Sequence, residues 1–170
     1  MLHPDMVLQK SKIAGRGLFA KRKIPKGTIL WRFDSTRVYS KKQYNKFGRR
    51  YRKLLDTYAY KDKEGNLVLC MDDAKYWNHS CEPNAAPLDE KTDIAIKNIW
   101  KGEEITYDYA LLLSEKEKLR CNCSTLACRK IVSGKPRNSK RSRELFRKGM
   151  QAFKNANGIR QPLLRKRIVK

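Results

Sequence analysis

The side chains best suited to chemistry occur in one stretch of ten residues, YWNHSCEPNA at residues 76–85. Asn, His, Ser and Cys side chains, which donate or accept hydrogen bonds, directly follow two large aromatic residues there. Such a stretch indicates a polar turn beside aromatic rings, which either binds a ligand or satisfies its own hydrogen bonds. A second stretch, CNCSTLAC at residues 121–128, holds three of the five cysteines. In a reducing compartment such cysteines suggest free thiols or metal ligands before disulfides.

The composition predicts a soluble protein with an anionic or acidic partner. The 170 residues suit one domain with a tail, and Lys and Arg outnumber Asp and Glu 40 to 17, a formal net charge of +23. No run approaches the roughly 18 apolar residues of a membrane span, and MLHPDMVLQK at the start lacks the hydrophobic block of a signal peptide. We therefore expect an intracellular protein that contacts no membrane.

The basic charge is concentrated at the C-terminal end. Residues 129–170 hold 15 Lys or Arg against the single Glu144, a balance of +14, whereas residues 1–128 hold 25 against 16, or +9. The segment SRELFRKGMQAF predicts a short basic amphipathic helix with Ser142 as its N-cap. Its apolar residues at near-helical spacing are Leu145, Phe146, Met150 and Phe153. The segment is either a solvated charged tail or a contact surface for phosphates or an acidic patch.

The elements that must position these residues are mostly short strands. Gly and Pro punctuation separates alternating apolar segments such as GNLVLCMD and TDIAIKNIWKGEEITYDYA. One clear amphipathic helix is predicted in SKKQYNKFGRRYRKLLDTYAY, capped by Ser40 and basic on its outer face. A second, short helix is predicted around SEKEKLR from Ser114.

Four segments, taken in order, resemble the SET-domain protein lysine methyltransferases with a post-SET-type cysteine cluster. They are AGRGLFA from Ala14, NHSCEPN from Asn78, GEEITYDY from Gly102 and CNCSTLAC from Cys121. The second is the most specific, since several fixed residues stand in one short run. The resemblance implies a mainly β fold with short helices (α+β), namely a β-clip of small sheets with a threaded C-terminal segment. It divides the chain into a SET domain at 1–113, a zinc cluster at 114–130 and a basic tail at 131–170.

The same resemblance implies the role of each site residue. The cofactor S-adenosylmethionine (SAM) is expected to contact Ala14, Gly15, Arg16, Asn78, His79 and Asn122. Tyr109 matches the catalytic tyrosine, and Tyr107 matches a Phe or Tyr position whose hydroxyl favours mono- or dimethylation. Tyr58 resembles the tyrosine of the lysine channel, although Tyr60, expected on the same strand face, could exchange roles with it.

The methyl-transfer chemistry that the resemblance implies explains why tyrosines would be needed. A lysine amine with a reference pKa of about 10.4 must lose its proton before it attacks, which costs about 4 to 5 kcal/mol at neutral pH. A narrow channel of aromatic rings lowers this cost by desolvating the ammonium, and the ring faces accommodate the positive sulfonium of the donor. Positioning then supplies much of the catalysis without a metal.

The cysteines are expected to form a structural zinc site. Cys121, Cys123 and Cys128 supply three thiolates, whereas a structural zinc ion takes four ligands. In the family that the chain resembles, the cysteine of the second motif, here Cys81, completes the set. Four unrelated reduced thiols are the alternative, and His79 is a less favoured ligand.

The sequence thus predicts a SAM-dependent lysine methyltransferase that acts on a basic protein such as a histone tail. The basic tail would hold it on nucleic acid or a nucleosome, in the nucleus, on a chromosome or in the cytoplasm. Two alternatives remain: a noncatalytic, zinc-stabilised nucleic-acid-binding module with the same fold, and a methyltransferase of a nonhistone protein.

Overall fold

The computed structural model describes residues 1–33, 36–62, 64–134, 139–156, 161 and 164. Within them, the strands are β1 Met6–Lys10, β2 Arg16–Ala20, β3 Ile29–Arg32, β4 Thr36–Tyr39, β5 Tyr60–Lys61, β6 Leu67–Cys70, β7 Asn78–His79, β8 Ala85–Pro87, β9 Thr92–Ala95, β10 Glu104–Tyr107, β11 Lys118–Arg120 and β12 Ile131–Ser133. The helices are α1 Lys41–Lys46, α2 Arg49–Tyr58 and α3 Lys140–Lys154, with 3-10 turns at Asp73–Tyr76 and Tyr109–Leu111. The predicted fold class, small β-sheets with few helices, is confirmed.

The strands form small sheets rather than one large one. The largest has the order β1-β2-β10-β7, in which β10 and β7 run parallel and the other neighbours run antiparallel. Two three-stranded sheets have the orders β3-β9-β8 and β4-β6-β5, and β11 pairs with β12 as a separate hairpin. The parallel pairing places Tyr107 opposite His79 and Thr106 opposite Asn78. Two motifs that lie far apart in the sequence therefore meet on adjacent strands.

A core of aliphatic side chains holds these sheets together. Leu18 of β2 lies opposite Ile105 of β10, and both are almost fully buried. Ile24, Leu30 and Ile99 are also completely buried in the same cluster. Burying one such side chain contributes about 1.5–3 kcal/mol, so this cluster is the main support of the largest sheet.

The single helix predicted from Ser40 is instead two helices, α1 and α2, which we call the helical hairpin (residues 41–58). Ser40 caps α1 as predicted, and Gln43 completes a capping box. The helix ends because Phe47 adopts an extended conformation, with φ −76° and ψ 145°. Its ring packs against Tyr39 and Tyr51, with centroid distances of 5.2 and 4.8 Å. This aromatic cluster stabilises the bend that the periodicity alone did not predict.

The helix predicted around Ser114 is wrong. Ser114 and Glu117 form a turn, in which the Ser114 backbone N–H donates to the Glu117 carboxylate at 2.8 Å. The chain then continues as β11, which pairs with β12. The segment SEKEKLR has no apolar stripe to bury, so pairing with β12 determines its structure.

Helix α3 begins three residues before the predicted position, because Ser139 rather than Ser142 is the N-cap. Its buried residues are Ser142, Leu145, Gly149 and Ala152. The expected apolar residues Met150 and Phe153 are exposed to 44% and 41%. The small residues form the buried face because the helix lies close to β8: a Cβ on Gly149 would collide with the Pro87 carbonyl oxygen. Of the predicted tail, residues 135–138, 157–160, 162–163 and 165–170 lie outside the described residues.

Candidate functional site

A cavity of about 320 Å³, called the first cavity, lies where the AGRGLFA and NHSCEPN segments meet. All six residues predicted to bind the cofactor line it: Ala14, Gly15, Arg16, Asn78, His79 and Asn122. The remaining lining residues are Ile13, Thr57, Tyr58, Lys75, Tyr76, Tyr109, Leu119, Arg120, Cys121 and Val132. The volume lies within the range of small-molecule sites.

Asn78 holds the wall of the first cavity in place. Its side-chain nitrogen donates to the carbonyl oxygens of Ala14 at 3.1 Å and Arg16 at 3.0 Å, and to the Glu104 carboxylate at 2.7 Å. The two glycines of the segment serve different purposes. Gly15 has φ +47°, a conformation that favours glycine, while a Cβ on Gly17 would collide with the Glu104 carboxylate. The Asn78 amide therefore orients the backbone around the cavity.

His79 is neutral at physiological pH. Burial lowers its pKa to about 4, although the charge of Asp108 opposes that shift. The backbone N–H of Tyr109 donates to Nδ1 of His79 at 3.1 Å, so the ring proton is on Nε2, which lies 3.4 Å from Sγ of Cys81. His79, which lies in β7 of the largest sheet, is thus hydrogen-bonded to the Tyr109 backbone on one side and to Cys81 on the other.

Tyr107 and Tyr109 flank Asp108 in the sequence, and both side chains keep their hydroxyl protons. The Tyr109 hydroxyl donates to the carbonyl oxygen of Trp77 at 2.5 Å, and burial raises the pKa of Tyr109 to about 12. Burial, followed by the charge of Asp93, raises the pKa of Tyr107 well above its usual value. Both rings therefore present neutral phenols.

A second cavity, of about 540 Å³, adjoins the first. Five residues line both cavities: Thr57, Tyr58, Lys75, Tyr109 and Leu119. Tyr107 and Tyr60 line only the second cavity. The prediction that Tyr58 and Tyr60 share a strand face is wrong, because α2 continues through Tyr58 and β5 starts at Tyr60. Tyr58 at the helix end reaches both cavities, which Tyr60 does not.

The four cysteines predicted to bind zinc form one cluster. The Sγ atoms of Cys81, Cys121, Cys123 and Cys128 lie within 4.8 Å of one another. Sγ of Cys81 is 3.7 Å from Sγ of Cys121, close to the separation of about 3.8 Å between thiolates arranged tetrahedrally at 2.3 Å around zinc and too long for a disulfide. The Arg129 backbone N–H and Nε donate to Sγ of Cys81 at 3.3 and 3.2 Å, hydrogen bonds of the kind that orient a metal ligand. The donor set fits a structural zinc ion.

The family model described as SET domain matches residues 15–110. The chain belongs to the SET-domain family. It is 30% identical over 141 residues to histone-lysine N-methyltransferase 2B of Homo sapiens and 33% identical over 146 residues to histone-lysine N-methyltransferase trr of Drosophila melanogaster. These matches cover 73% and 76% of this chain but only 5% and 6% of the relatives.

Solved SET-domain structures share the fold. The methyltransferase domain of human histone-lysine N-methyltransferase SETMAR has a TM-score of 0.56 at 19% identity, covering 78% of this chain and 59% of that one. KRYPTONITE in complex with mCHG DNA and S-adenosylhomocysteine (SAH) has a TM-score of 0.54 at 20% identity, covering 77% and 29%. At these identities the likeness establishes the fold alone. Across the described part of the chain, no helix is both long and apolar enough to cross a membrane.

Sequence patterns did not predict the charge cluster that joins this SET domain to the C-terminal segments. Asp108, which is completely buried, accepts hydrogen bonds from Arg129 at 2.6 Å and Arg141 at 2.9 Å. Asp108 also accepts from the backbone N–H of Ala110 at 3.0 Å, as the N-cap of the 3-10 turn that contains Tyr109. Local patterns indicate a strand-end turn former or a supporting hydrogen bond for this Asp, but they do not reveal its arginine partners, which lie 21 and 33 residues away.

Tyr76 is a second residue of the SET domain whose place in the site was not predicted. Its ring lies 5.1 Å from the ring of Tyr58, and the guanidinium of Arg16 lies 5.4 Å from its centroid. It lines the first cavity beside Lys75, whose ammonium is 5.0 Å from the same ring. The only signal in the sequence was its position at the start of the YWNHSCEPNA stretch.

The geometry suits a reaction between two molecules held in adjoining spaces. The neutral Tyr109 phenol and the ring faces at the junction can attract a cation without carrying a charge themselves. The first cavity is polar and lined by backbone, and the second is larger and lined by aromatic rings. Together they can hold the donor and the acceptor of a transferred group so that the two molecules meet at the shared wall.

Proposed function

We propose that the protein is a SAM-dependent protein lysine N-methyltransferase. The observation that carries this proposal is the junction of the two cavities at Tyr58 and Tyr109. Methyl transfer needs a donor and an amine that approach each other from opposite sides of a desolvated passage. Two adjoining cavities with tyrosines in their shared wall provide such a passage.

We propose that the first cavity binds SAM, whose sulfonium supplies the methyl group. Ala14, Gly15 and Arg16 would hold it through their backbone, beside Asn78 and His79, with Asn122 closing the opposite wall. The rings of Tyr58 and Tyr109 suit the positive sulfonium. KRYPTONITE, which shares the fold, was solved in complex with SAH, the product that SAM leaves after methyl transfer, and this supports the assignment.

The second cavity is our proposed site for the acceptor lysine of a basic protein. Five of its lining residues are acidic, in a chain with a net charge of +23: Asp56, Asp89, Glu90, Asp93 and Glu117. Carboxylates at its rim would attract Lys and Arg residues next to the acceptor. Aromatic walls would desolvate the ammonium and reduce the cost of about 4 to 5 kcal/mol for its deprotonation. A histone tail is the substrate class we favour, and the relatives are named histone-lysine N-methyltransferases.

We propose that Cys81, Cys121, Cys123 and Cys128 bind a structural zinc ion. The ion would fix the β11–β12 hairpin, whose Leu119, Asn122 and Val132 line the first cavity. Cys81 and Cys121 also pack with Ala110 and Val132 in a small apolar cluster against Tyr109. The metal would therefore support the cofactor wall and take no part in methyl transfer.

We also propose that nucleic acid binds the protein, at the helical hairpin as well as at the basic tail. The hairpin has Leu55 as its one buried residue and presents six exposed cations: Lys41, Lys42, Lys46, Arg49, Arg50 and Lys53. No ion pair involves these six side chains in the described part of the chain. A face with six exposed cations and one exposed large apolar side chain, Leu54, fits phosphates better than it fits a protein partner. We accordingly propose a location on a chromosome in the nucleus, or on nucleic acid in the cytoplasm.

Transfer of labelled methyl from SAM to histones and to other basic proteins tests the catalytic proposal. We expect labelled lysine, and a loss of at least about 100-fold in Tyr109→Phe. Tyr44→Phe, which removes a surface hydroxyl bonded to Asp56, is the matched control and should keep full activity. If only nonhistone proteins were labelled, the proposed substrate would change but the proposed reaction would stand. No transfer to any lysine substrate, with Tyr109→Phe indistinguishable from wild type, would refute catalysis.

Two binding measurements separate the enzyme from a noncatalytic nucleic-acid-binding module. SAM at 100 times its dissociation constant should stabilise the enzyme by about 2.7 kcal/mol, whereas the module would gain nothing. For DNA, the triple variant Arg49→Gln, Arg50→Gln and Lys53→Gln should reduce the salt slope of the affinity by about 0.9 for each phosphate that these side chains neutralise. The matched control neutralises three exposed lysines outside the hairpin, Lys91, Lys97 and Lys101. An equal effect of both triple variants would argue against the hairpin.

A further inference from the structure

Arg141 stands in the first turn of α3, where a cation is electrostatically unfavourable. The free backbone N–H groups and the dipole of a helix give its N-terminus a partial positive charge, which favours acidic side chains. Within the described residues 139–156, the first turn of α3 has no acidic side chain and begins with Lys140 and Arg141. Sequences break local rules of this kind mainly at functional or strained sites. The contacts of Arg141 show what the exception serves.

The guanidinium of Arg141 joins two separate segments of the SET domain. Its Nε donates to the Asp108 carboxylate at 2.9 Å, and a terminal nitrogen donates to the carbonyl oxygen of Cys81 at 2.8 Å. Asp108 is the N-cap of the 3-10 turn that contains Tyr109, and Cys81 follows the end of β7 by two residues. Because the guanidinium is planar and rigid, its donors hold these two segments in a fixed relative position.

Tyr109 is held between the same two segments. Its backbone N–H donates to Nδ1 of His79 at 3.1 Å, and its hydroxyl donates to the carbonyl oxygen of Trp77 at 2.5 Å. Both acceptors lie in residues 77–81, the segment that Arg141 reaches through the Cys81 carbonyl oxygen. Arg141 therefore connects, by a second route, the turn and the strand segment that hold this ring.

Arg141 differs from the other arginine of the charge cluster. Arg129 also donates to Asp108, at 2.6 Å, but its second acceptor is Sγ of Cys81, a proposed zinc ligand. The second acceptor of Arg141 is a backbone oxygen, so its bridge does not use a ligand atom of the metal site. Within the described chain, Arg141 lines neither cavity, so it contacts neither the proposed donor nor the proposed acceptor. Any effect of Arg141 on transfer must therefore act through the turn.

We propose that Arg141 is a positioning residue for methyl transfer, which makes α3 part of the catalytic unit. This inference rests on the proposed function, in which Tyr109 lies in the wall where donor and acceptor meet. Without Arg141, Asp108 keeps its bonds to Arg129 and to the Ala110 backbone N–H, so Tyr109 stays in the site but is held less firmly. A displacement of about 1 Å at a reacting centre can reduce a rate about 100-fold. Arg141 thus keeps the ring within the small tolerance that the transfer allows.

Steady-state kinetics of zinc-saturated protein with SAM and histones tests this proposal. We expect Arg141→Gln to lower kcat about tenfold and to change both KM values by less than about twofold, because the bridge matters in the transition state. Leu145→Val trims the buried face of α3 but keeps Arg141, so it controls for loosened packing and should keep kcat within about twofold. Unchanged kcat in Arg141→Gln, or an equal loss in Leu145→Val, would overturn the proposal.

Arg141→Lys separates the charge from the bridge. Lysine supplies a cation for Asp108, so the thermal midpoint should stay near that of wild type, but a single ammonium lacks the planar fork that reaches two acceptors. We therefore expect kcat of Arg141→Lys to remain at least about threefold below that of wild type. Full recovery of kcat would show that the charge alone suffices, and the positioning role would fall.

Hydrogen exchange followed by NMR tests the same bridge without any transfer. The Tyr109 backbone N–H should exchange at least about tenfold faster in Arg141→Gln, a larger increase than for the completely buried Ile105. Equal acceleration of both amides would indicate a global loss of stability and would contradict the proposal. If wild type transfers no methyl group, the proposed function fails, while hydrogen exchange still decides whether Arg141 holds the turn. If Arg141→Gln does not fold, as judged by its thermal midpoint, Arg141→Lys decides both measurements.

Discussion

Replacing Asp108 with Asn should destabilise the protein by about 2 kcal/mol. Asp108 is completely buried and pairs with Arg129 and Arg141, whose side chains are 30% and 29% exposed. Removing one partner of a fully buried ion pair costs about 3–5 kcal/mol. We reduce this to about 2 kcal/mol because both guanidinium groups still reach water. Asn keeps an oxygen that can accept from the Ala110 backbone N–H, so the loss of stability reports the effect of removing the negative charge alone.

Urea unfolding followed by circular dichroism measures this loss, in zinc-saturated protein. For a chain of this size, about 2 kcal/mol corresponds to a fall of roughly 4–8 °C in the thermal midpoint. Asp89→Asn, an exposed carboxylate, is the control and should change the free energy of unfolding by less than about 0.5 kcal/mol.

A double-mutant cycle with Arg141→Gln provides the sharper criterion. Arg141→Gln alone should cost about 1 kcal/mol, because Arg129 still neutralises Asp108. The double variant should cost clearly less than the sum of the single variants, since removing Arg141 also removes a cation that has lost its buried carboxylate partner in Asp108→Asn. The reasoning is refuted if Asp108→Asn lies within about 0.5 kcal/mol of wild type, or if the two effects simply add.

Three further predictions concern the metal, pH and packing. A strong chelator should lower the thermal midpoint and weaken SAM binding at once, as calorimetry can show; an unaffected midpoint would argue against zinc. The pKa of Asp93 is raised to about 7, so the folded state binds more protons than the unfolded state between about pH 4 and 7, and stability should fall as pH rises through that range. This fall should be smaller in Asp93→Asn, and identical pH curves would contradict it. Gly17→Ala should lower the free energy of unfolding by about 1–3 kcal/mol, because the new Cβ would collide with Glu104. Gly48→Ala should be tolerated, because a Cβ there would have nothing within 4 Å. Equal effects of the two variants in denaturant unfolding would refute the clash.

The sequence predicted the fold through motifs that resemble those of a known family, and the residues that it named for the cofactor line the first cavity. The parallel pairing of β7 with β10 then brings Asn78 and His79 beside Tyr107, and four cysteines from two segments meet in one cluster. The cysteine cluster was expected from the resemblance to a known family, whereas the parallel strand pairing was not predicted. The roles of the individual side chains in catalysis remain predictions.

Features that depend on packing between separate elements were not predictable. The bend at Phe47 arises from rings on β4 and α2, and the buried face of α3 follows from close approach to Pro87. Periodicity ranks residues by hydrophobicity, so it chose Met150 and Phe153 over the small residues that permit this approach. Likewise, no local pattern connects Asp108 with Arg141, whose pairing requires α3 to be docked.

The ion pairs of Asp108 also have a consequence for the order of events during synthesis. Tyr109 follows Asp108 directly, but Arg141 leaves the ribosome 33 residues later. At about 5–20 residues per second, the buried carboxylate waits roughly 2–7 seconds for its last cation. A nascent chain in that interval has the tyrosine but lacks the ion pair of Asp108 with Arg141. Maturation of the protein would thus be timed by the emergence of its C-terminal helix.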